Sequence, residues 1–258
     1  MIRTVYVSDV GHVRSVNEDS SWVAPLEQGY TLGIVADGMG GHQAGDTASR
    51  LAVETIVEDL SAIPAALSLE ACGKAVQDAI LHANQVIYQA ASQSEEYHNM
   101  GTTVVVLLLG QDKGVLGHIG DSRAYKYRDG QLFQLTEDHT LVNELVKNGQ
   151  ISQEEAGMHP RRNVLTRALG TDEKVAVDLN SIEFSEGDLF LLCSDGLSSY
   201  VSTDRMVQIL GTAGGSLQSR AESLLQLALD AGGDDNITVV LMERQADSAG
   251  LGIKEWKS

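Results

Sequence analysis

Three apolar runs in this sequence end on an aspartate. Thr31-Leu-Gly-Ile-Val-Ala36 leads into Asp37-Gly38, Val115-Leu-Gly-His-Ile-Gly120 into Asp121, and Asp188-Leu-Phe-Leu-Leu-Cys-Ser194 into Asp195-Gly196. A further acidic pair, Asp234-Asp235, stands directly before the run that starts at Asn236. Buried strands with carboxylates at their mouths bring like charges together, which is costly unless a cation sits among them. Carboxylates, water and a backbone carbonyl suit hard cations such as Mg²⁺ or Mn²⁺ rather than zinc. A glycine directly after an aspartate lets the main chain approach closely enough for its carbonyl to be a ligand. Asp-Gly is also an ordinary turn. Asp37 and Asp235 lie near opposite ends of the chain, so spacing alone leaves both readings open.

Other chemistries find no support. The sequence has no Gly-x-x-x-x-Gly-Lys-Ser/Thr loop and no Gly-x-Ser-x-Gly elbow. Its seven histidines include no His-Glu-x-x-His pair. Gly38-Met-Gly-Gly-His42 lacks the third glycine of a dinucleotide fingerprint. Cys72 and Cys193 each sit in an apolar stretch and read as core filler in a reducing compartment.

The elements that must position these aspartates are short strands beside longer helices. Strand patterns are expected at Thr4–Ser8, Tyr30–Ala36, Thr102–Leu109, Val115–Ile119, Ala124–Arg128, Gln131–Leu135, Asp188–Cys193 and Asn236–Glu243. Asp129-Gly130 is a hairpin signal. Helical periodicity begins near Asp46, and again after Ser68 as an N-cap. Further helices are expected at about Thr203–Leu210 and Ser219–Ala231. A polar excursion over about 138–163, with a short helix at Leu141–Val146, reads as a functional flap. Grouped strands beside grouped helices suggest a layered α+β domain.

Composition narrows the function. The 258 residues are 43% hydrophobic and 21% charged, with a net charge of −18. Such a balance leaves no basic stripe and disfavours nucleic-acid binding. The longest strongly apolar run, Val104–Leu109, is far short of the ~20 residues a spanning helix needs. Met1–Val10 has no apolar core of a signal peptide. A cytoplasmic protein away from membranes is expected.

The ordered strings are more specific than their composition. Arg14-Ser-Val-Asn17-Glu18-Asp19, Val35-Ala-Asp37-Gly38-Met-Gly-Gly-His42, Met100-Gly-Thr-Thr103 and Gly117-His-Ile-Gly-Asp121-Ser-Arg-Ala-Tyr125 come first. Leu135-Thr-Glu-Asp138-His139-Thr, Asn163-Val-Leu-Thr-Arg167-Ala-Leu-Gly170, Leu192-Cys-Ser-Asp195-Gly196-Leu and Asp234-Asp235-Asn236-Ile-Thr-Val239 follow. The chain resembles the PP2C-type (PPM) metal-dependent protein serine/threonine phosphatases in their compact bacterial form, over nearly its whole length. That resemblance implies a four-layer α/β/β/α sandwich in one domain, 1–243, with a polar tail at 244–258.

It also implies two core Mn²⁺ or Mg²⁺ ions and, as in bacterial relatives, a third, weaker one. By motif position, Asp37 bridges the two ions, the Gly38 carbonyl binds one, and Asp195 and Asp235 complete the other. Asp19 and Glu18 match positions that contact metal-bound water, Asp19 the nearer, and Asn236 supports the site. Asp121 matches a position that shares a third ion with Asp195, and Arg14 matches the arginine that clamps the substrate phosphate. Met39 stands where eukaryotic members carry the proposed general acid, and His42 is the nearby candidate for that role. Ser198-Ser199 replaces an acidic residue of some members.

Other polar residues have structural readings. His118 is expected to pack in the core, His139 to order the flap and Arg123 to make a structural ion pair. Arg161, Arg162 and Arg167 form a small basic cluster, solvated or in contact with a phosphopeptide. The resemblance implies a monomer that dephosphorylates phosphoserine and phosphothreonine in proteins, opposing a bacterial serine/threonine kinase. A binding-only relative is disfavoured because Arg14, Asp37, Asp195 and Asp235 are all present, whereas a hydrolase of small phosphate esters stays open. The charge of −18 predicts faster turnover of phosphopeptides with basic than with acidic flanks at low salt. A rate independent of flanking charge, measured across such peptides, would contradict this.

Overall fold

The computed structural model describes residues 1–40, 44–93, 97, 99–212 and 214–245. His42 and residues 246–258 of the tail lie outside the described residues.

Two strands show why the chain layers as it does. In β3 (Thr31–Met39), Leu32, Ile34 and Ala36 face one core while Val35 faces another. In β5 (Val104–Leu109), Val104, Val106 and Leu108 face the first core, and Val105, Leu107 and Leu109 the second. Side chains alternate along a strand, so an unbroken apolar run needs cover on both faces. The cover on one face is helical: α1 (Ala44–Ser61) and α2 (Leu69–Gln93) contribute Ala48, Ile56, Val76, Ile80 and Ile87. A second sheet covers the other face.

The first sheet runs in the order β2 (Asp19–Pro25), β3, β5, β6 (Lys113–Ile119) and β9 (Asp178–Glu183), with β4 (Gly101–Thr102) beside β3. The second runs β1 (Ile2–Asp9), β11 (Ile237–Arg244), β10 (Leu189–Cys193), β7 (Arg123–Arg128) and β8 (Gln131–Gln134). All these pairings are antiparallel. Phe190, Leu192, Val240 and Met242 from the second sheet meet Val105, Leu107 and Leu116 from the first. Leu189, Leu191, Cys193, Val239 and Leu241 turn instead toward α6 (Thr203–Leu210) and α7 (Leu217–Asp230). Three apolar layers therefore separate four layers of structure, the α/β/β/α sandwich.

Most expected elements are present, with the differences at the edges. β2 and β9 are edge strands of mostly part-exposed residues without a clean alternation, and β2 ends at Pro25, so neither had a sequence signal. β3 continues past Ala36 because β4 offers Gly38 and Met39 their partners, Thr102 and Gly101. The Asp129-Gly130 hairpin has φ of 50° and 77° at its two central residues, as a type I′ turn requires. The flap carries the expected α3 (Leu141–Lys147) and an additional α4 (Gln153–Met158), started by a Ser152–Glu155 capping box. A one-turn helix, α5 (Asp195–Ser198), follows β10. Cys72 and Cys193 are unpaired and buried. Among the described residues no helix is long and apolar enough to cross a membrane.

Phe190 is fully buried between the sheets, edge-on to Phe184 at 5.7 Å. Replacing it with alanine should destabilise the protein by about 3–5 kcal/mol in urea unfolding. Phe133→Ala, at a side chain 47% exposed, should change stability by about 0.5 kcal/mol or less. Similar losses for the two would contradict this layering.

Candidate functional site

The strand registers decide where the acidic residues go. Asp19 opens β2 opposite Asp37 near the end of β3. Val35 pairs with Val105 and Val104 with Ile119, so the end of β6, and Asp121 after it, reach the same edge. In the second sheet Cys193 pairs with Val239, which brings Asp195 to the end where Asp235 stands just before β11. Arg14, Glu18, Asp37, Gly38, Asp121, Asp195, Asp235 and Asn236 accordingly line one cavity of about 600 Å³. Asp19 is buried behind them.

Backbone and hydroxyl contacts hold this edge. The Asp37 N–H donates to Thr103 Oγ1 at 3.1 Å, and the Asp37 carbonyl accepts from the Thr103 N–H and Thr102 Oγ1, each at 2.9 Å. Asn236 ties the sheets together. Its Oδ1 accepts from the Glu18 N–H at 2.8 Å, and its Nδ2 donates to the carbonyls of Val10 and Val16, both at 2.9 Å. The loop that carries Arg14 is thus pinned at both ends. Gly38 is required by proximity: a Cβ there would lie 2.1 Å from the Gly45 carbonyl oxygen.

The electrostatics favour a cation. Burial pushes the Asp19 carboxyl up to about 7, with Asp195 and Asp235 adding repulsion against the hydrogen bonds of Ser194 and Thr238. Burial, then the charges of Asp19, Asp195, Asp121 and Asp235, hold Asp37 well above the carboxylate range. Asp121 rises to about 7 through burial and Asp195, and Asp195 to about 6 through burial and Asp235. Asp19 Oδ1 and Glu18 Oε1 are buried with no hydrogen-bond partner among the described residues. An all-oxygen donor set with orphaned carboxylate atoms fits a hard divalent ion. Arg14 Nη2 donates to Asp235 Oδ2 at 2.8 Å, and both side chains are partly exposed.

A second cavity of about 230 Å³ lies beneath the flap. Asp121, Asn163 and Asp195 belong to both cavities. Asp138, Ser198 and Ser199 line the second, and the Ser198 hydroxyl is buried without a hydrogen-bond partner among the described residues. Arg123 makes the expected ion pair, bidentate to Asp138 at 2.9 and 2.7 Å. His118 is buried and stacks on His139 with ring centroids 4.8 Å apart. His118, His139 and Asp178 offer ligand atoms within 4.8 Å of one another, yet Arg167 Nη1 sits 2.8 Å from Asp178 Oδ1 and opposes a cation there.

The comparisons with known proteins agree on one family. The sequence pattern described as Protein phosphatase 2C matches residues 11–229. This chain belongs to the protein phosphatase 2C family. It is 40% identical over 243 residues to the serine/threonine phosphatase stp of Listeria monocytogenes, covering 94% of this chain and 96% of that one. The serine/threonine phosphatase PstP/Ppp of Mycobacterium tuberculosis superposes with a TM-score of 0.86 at 37% identity, covering 95% of this chain and 99% of that one. The catalytic domain of PstP in complex with 2 manganese ions superposes with a TM-score of 0.83 at 35% identity, over 95% and 99% of the two chains. The chain is a serine/threonine phosphatase of the protein phosphatase 2C type and acts on phosphoproteins.

Several residues of this phosphatase edge were not singled out from the sequence. Thr103 orients the Asp37 backbone, and its hydroxyl bonds Ser122 at 2.7 Å. Ser194 donates to Asp19 Oδ2 at 2.7 Å. Both lie in motifs quoted above, but nothing in one sequence marks a threonine or serine as support for an aspartate on another strand.

Carboxyls with raised folded pKa values favour the protonated state, a contribution to stability that is lost as pH rises through about 6–7. A bound divalent ion needs the deprotonated forms and displaces those protons. The rise in Tm produced by Mn²⁺ over EDTA should therefore grow from about pH 5 to about pH 8. Differential scanning fluorimetry across that range checks it, and a rise that shrinks with pH would exclude these carboxylates as the binding groups.

Proposed function

We propose that the acidic edge is the phosphatase active centre and works with two divalent ions, Mn²⁺ or Mg²⁺. The reading is supported by the convergence of Asp37, Asp121, Asp195 and Asp235 from two sheets onto one cavity beside Arg14. Asp37 would bridge the ions, the Gly38 carbonyl would bind one, and Asp195 and Asp235 would complete the other. Asp19 and Glu18 would hold water bound to them, and Asp121 with Asp195 would hold a third, weaker ion. When bound, such ions lower the pKa of a shared water and offset charge on phosphoryl oxygens.

The chain's own groups do the rest. Arg14 is free to exchange its exposed contact with Asp235 for phosphate oxygens, a task suited to a planar guanidinium. Asn236 keeps the Arg14 loop in place through the carbonyls of Val10 and Val16. The leaving serine or threonine oxygen needs a proton. Met39 lines the cavity and has none to give, so His42, outside the described residues, is the proposed acid. A cytoplasmic monomer opposing a serine/threonine kinase completes the proposal, which accords with the unpaired Cys72 and Cys193.

The test is phosphate release from a phosphothreonine peptide with Mn²⁺, with Mg²⁺ and with EDTA, beside Asp195→Ala. EDTA should abolish release, and Asp195→Ala should lower it about a hundredfold or more at fixed metal. Release that survives both would show that the metal assignment is wrong.

A further inference from the structure

The main cavity has two walls of different chemistry. One carries Glu18, Asp37, Asp121, Asp195 and Asp235, with Arg14 among them. The other is a single stretch that follows the flap, from Asn163 to Asp172. Arg167 is the one cation on that second wall among the described residues.

Arg167 is held from behind. Its Nη1 donates to Asp178 Oδ1 at 2.8 Å and to the Ala176 carbonyl at 3.4 Å. Asp178 Oδ2 lies 3.2 Å from His139 Nε2. The other ring nitrogen of His139, Nδ1, accepts from the Gly120 N–H at 3.1 Å, so the proton sits on Nε2 and faces Asp178. The His139 carbonyl also accepts from the Thr166 N–H at 2.8 Å. His139 is 3% exposed, so the far end of this backing is buried, while the Asp178 and Arg167 side chains are 39% and 33% exposed. The Nε and Nη2 of Arg167 make no hydrogen bond among the described residues. One part of a five-donor fork is thus anchored, and the remainder is left for an acceptor that enters the cavity.

We propose that Arg167 reads the peptide chain of the substrate, donating to an oxygen acceptor beside the phosphorylated residue, with Asp178 and His139 as positioning residues. The inference rests on the phosphatase reading of the cavity and deepens it. The scissile phosphate belongs at the carboxylate-rich wall with Arg14, where cations fit. The wall after the flap holds a single carboxylate, Asp172, and is suited to the rest of the substrate. Arg167 therefore separates phosphoproteins from small phosphate esters, which end where the phosphate ends.

The experiment compares kcat/KM for a phosphothreonine peptide and for p-nitrophenyl phosphate, with saturating Mn²⁺. Wild type, Arg167→Ala, Arg167→Lys and Asp178→Asn are each measured. For Arg167→Ala the peptide-to-ester ratio should fall about tenfold, mainly through a higher peptide KM. Arg167→Lys should recover part of it, and Asp178→Asn should show a smaller loss in the same direction. Running the peptide with neutral and with acidic neighbours distinguishes a main-chain carbonyl from a side-chain carboxylate as the acceptor. An equal loss on both substrates, or no loss on either, overturns the proposal. Should Arg167→Ala fail to fold, the lysine and asparagine variants carry the same comparison. Wild type that turns over the ester but no phosphopeptide would sink the underlying reading as well.

Discussion

Repulsion among buried carboxylates is the constraint around which this molecule is built. Asp19, Asp37, Asp121 and Asp195 all sit where burial raises their pKa, and the charge of at least one neighbouring aspartate raises each further. Such a cluster would relax apart if the strands beneath it could move. They cannot move independently, because three apolar layers lock four layers of structure together. The close-packed interior transmits this rigidity to the strand ends. The preference for a divalent ion is thus stored in the fold rather than in any single side chain.

Rigidity at the acidic edge also depends on close backbone approach. A Cβ at Gly38 would lie 2.6 Å from the Glu18 carbonyl oxygen, and one at Gly196 2.0 Å from that of Asn236. These contacts bring main-chain groups of different strands within reach of one site. Asn236 then satisfies three backbone groups of residues 10–18, the connection from β1 of its own sheet to β2 of the other. The Arg14 loop is accordingly a fixed part of the site, although Arg14 itself is half exposed.

The flap side obeys a different logic. Its helices are short and its polar residues many, yet it is anchored at its two ends by His139 and Thr166. The basic residues that looked like one cluster in the sequence separate in space. Arg162 lines the cavity beneath the flap, while Arg167 lines the main cavity and is braced by Asp178. One wall therefore suits ions and phosphate, and the other suits the chain that carries the phosphate.

Much of this was legible in the residue order. β-branched and apolar runs such as Thr102–Leu109 announced strands, and the ordered motifs announced the family, its layered fold and its activity. Apolar patterning marked the separate strands and helices because burial constrains each element by itself, whereas family, layering and activity came from the resemblance that the motifs carry. The edge strands β2 and β9 were not legible, since part-exposed residues leave no such imprint. Nor did the sequence show that Thr103 and Ser194 support aspartates on other strands, or that His139 backs Arg167 through Asp178. Those contacts join residues far apart in the chain, and only strand register and sheet packing bring them within hydrogen-bond reach.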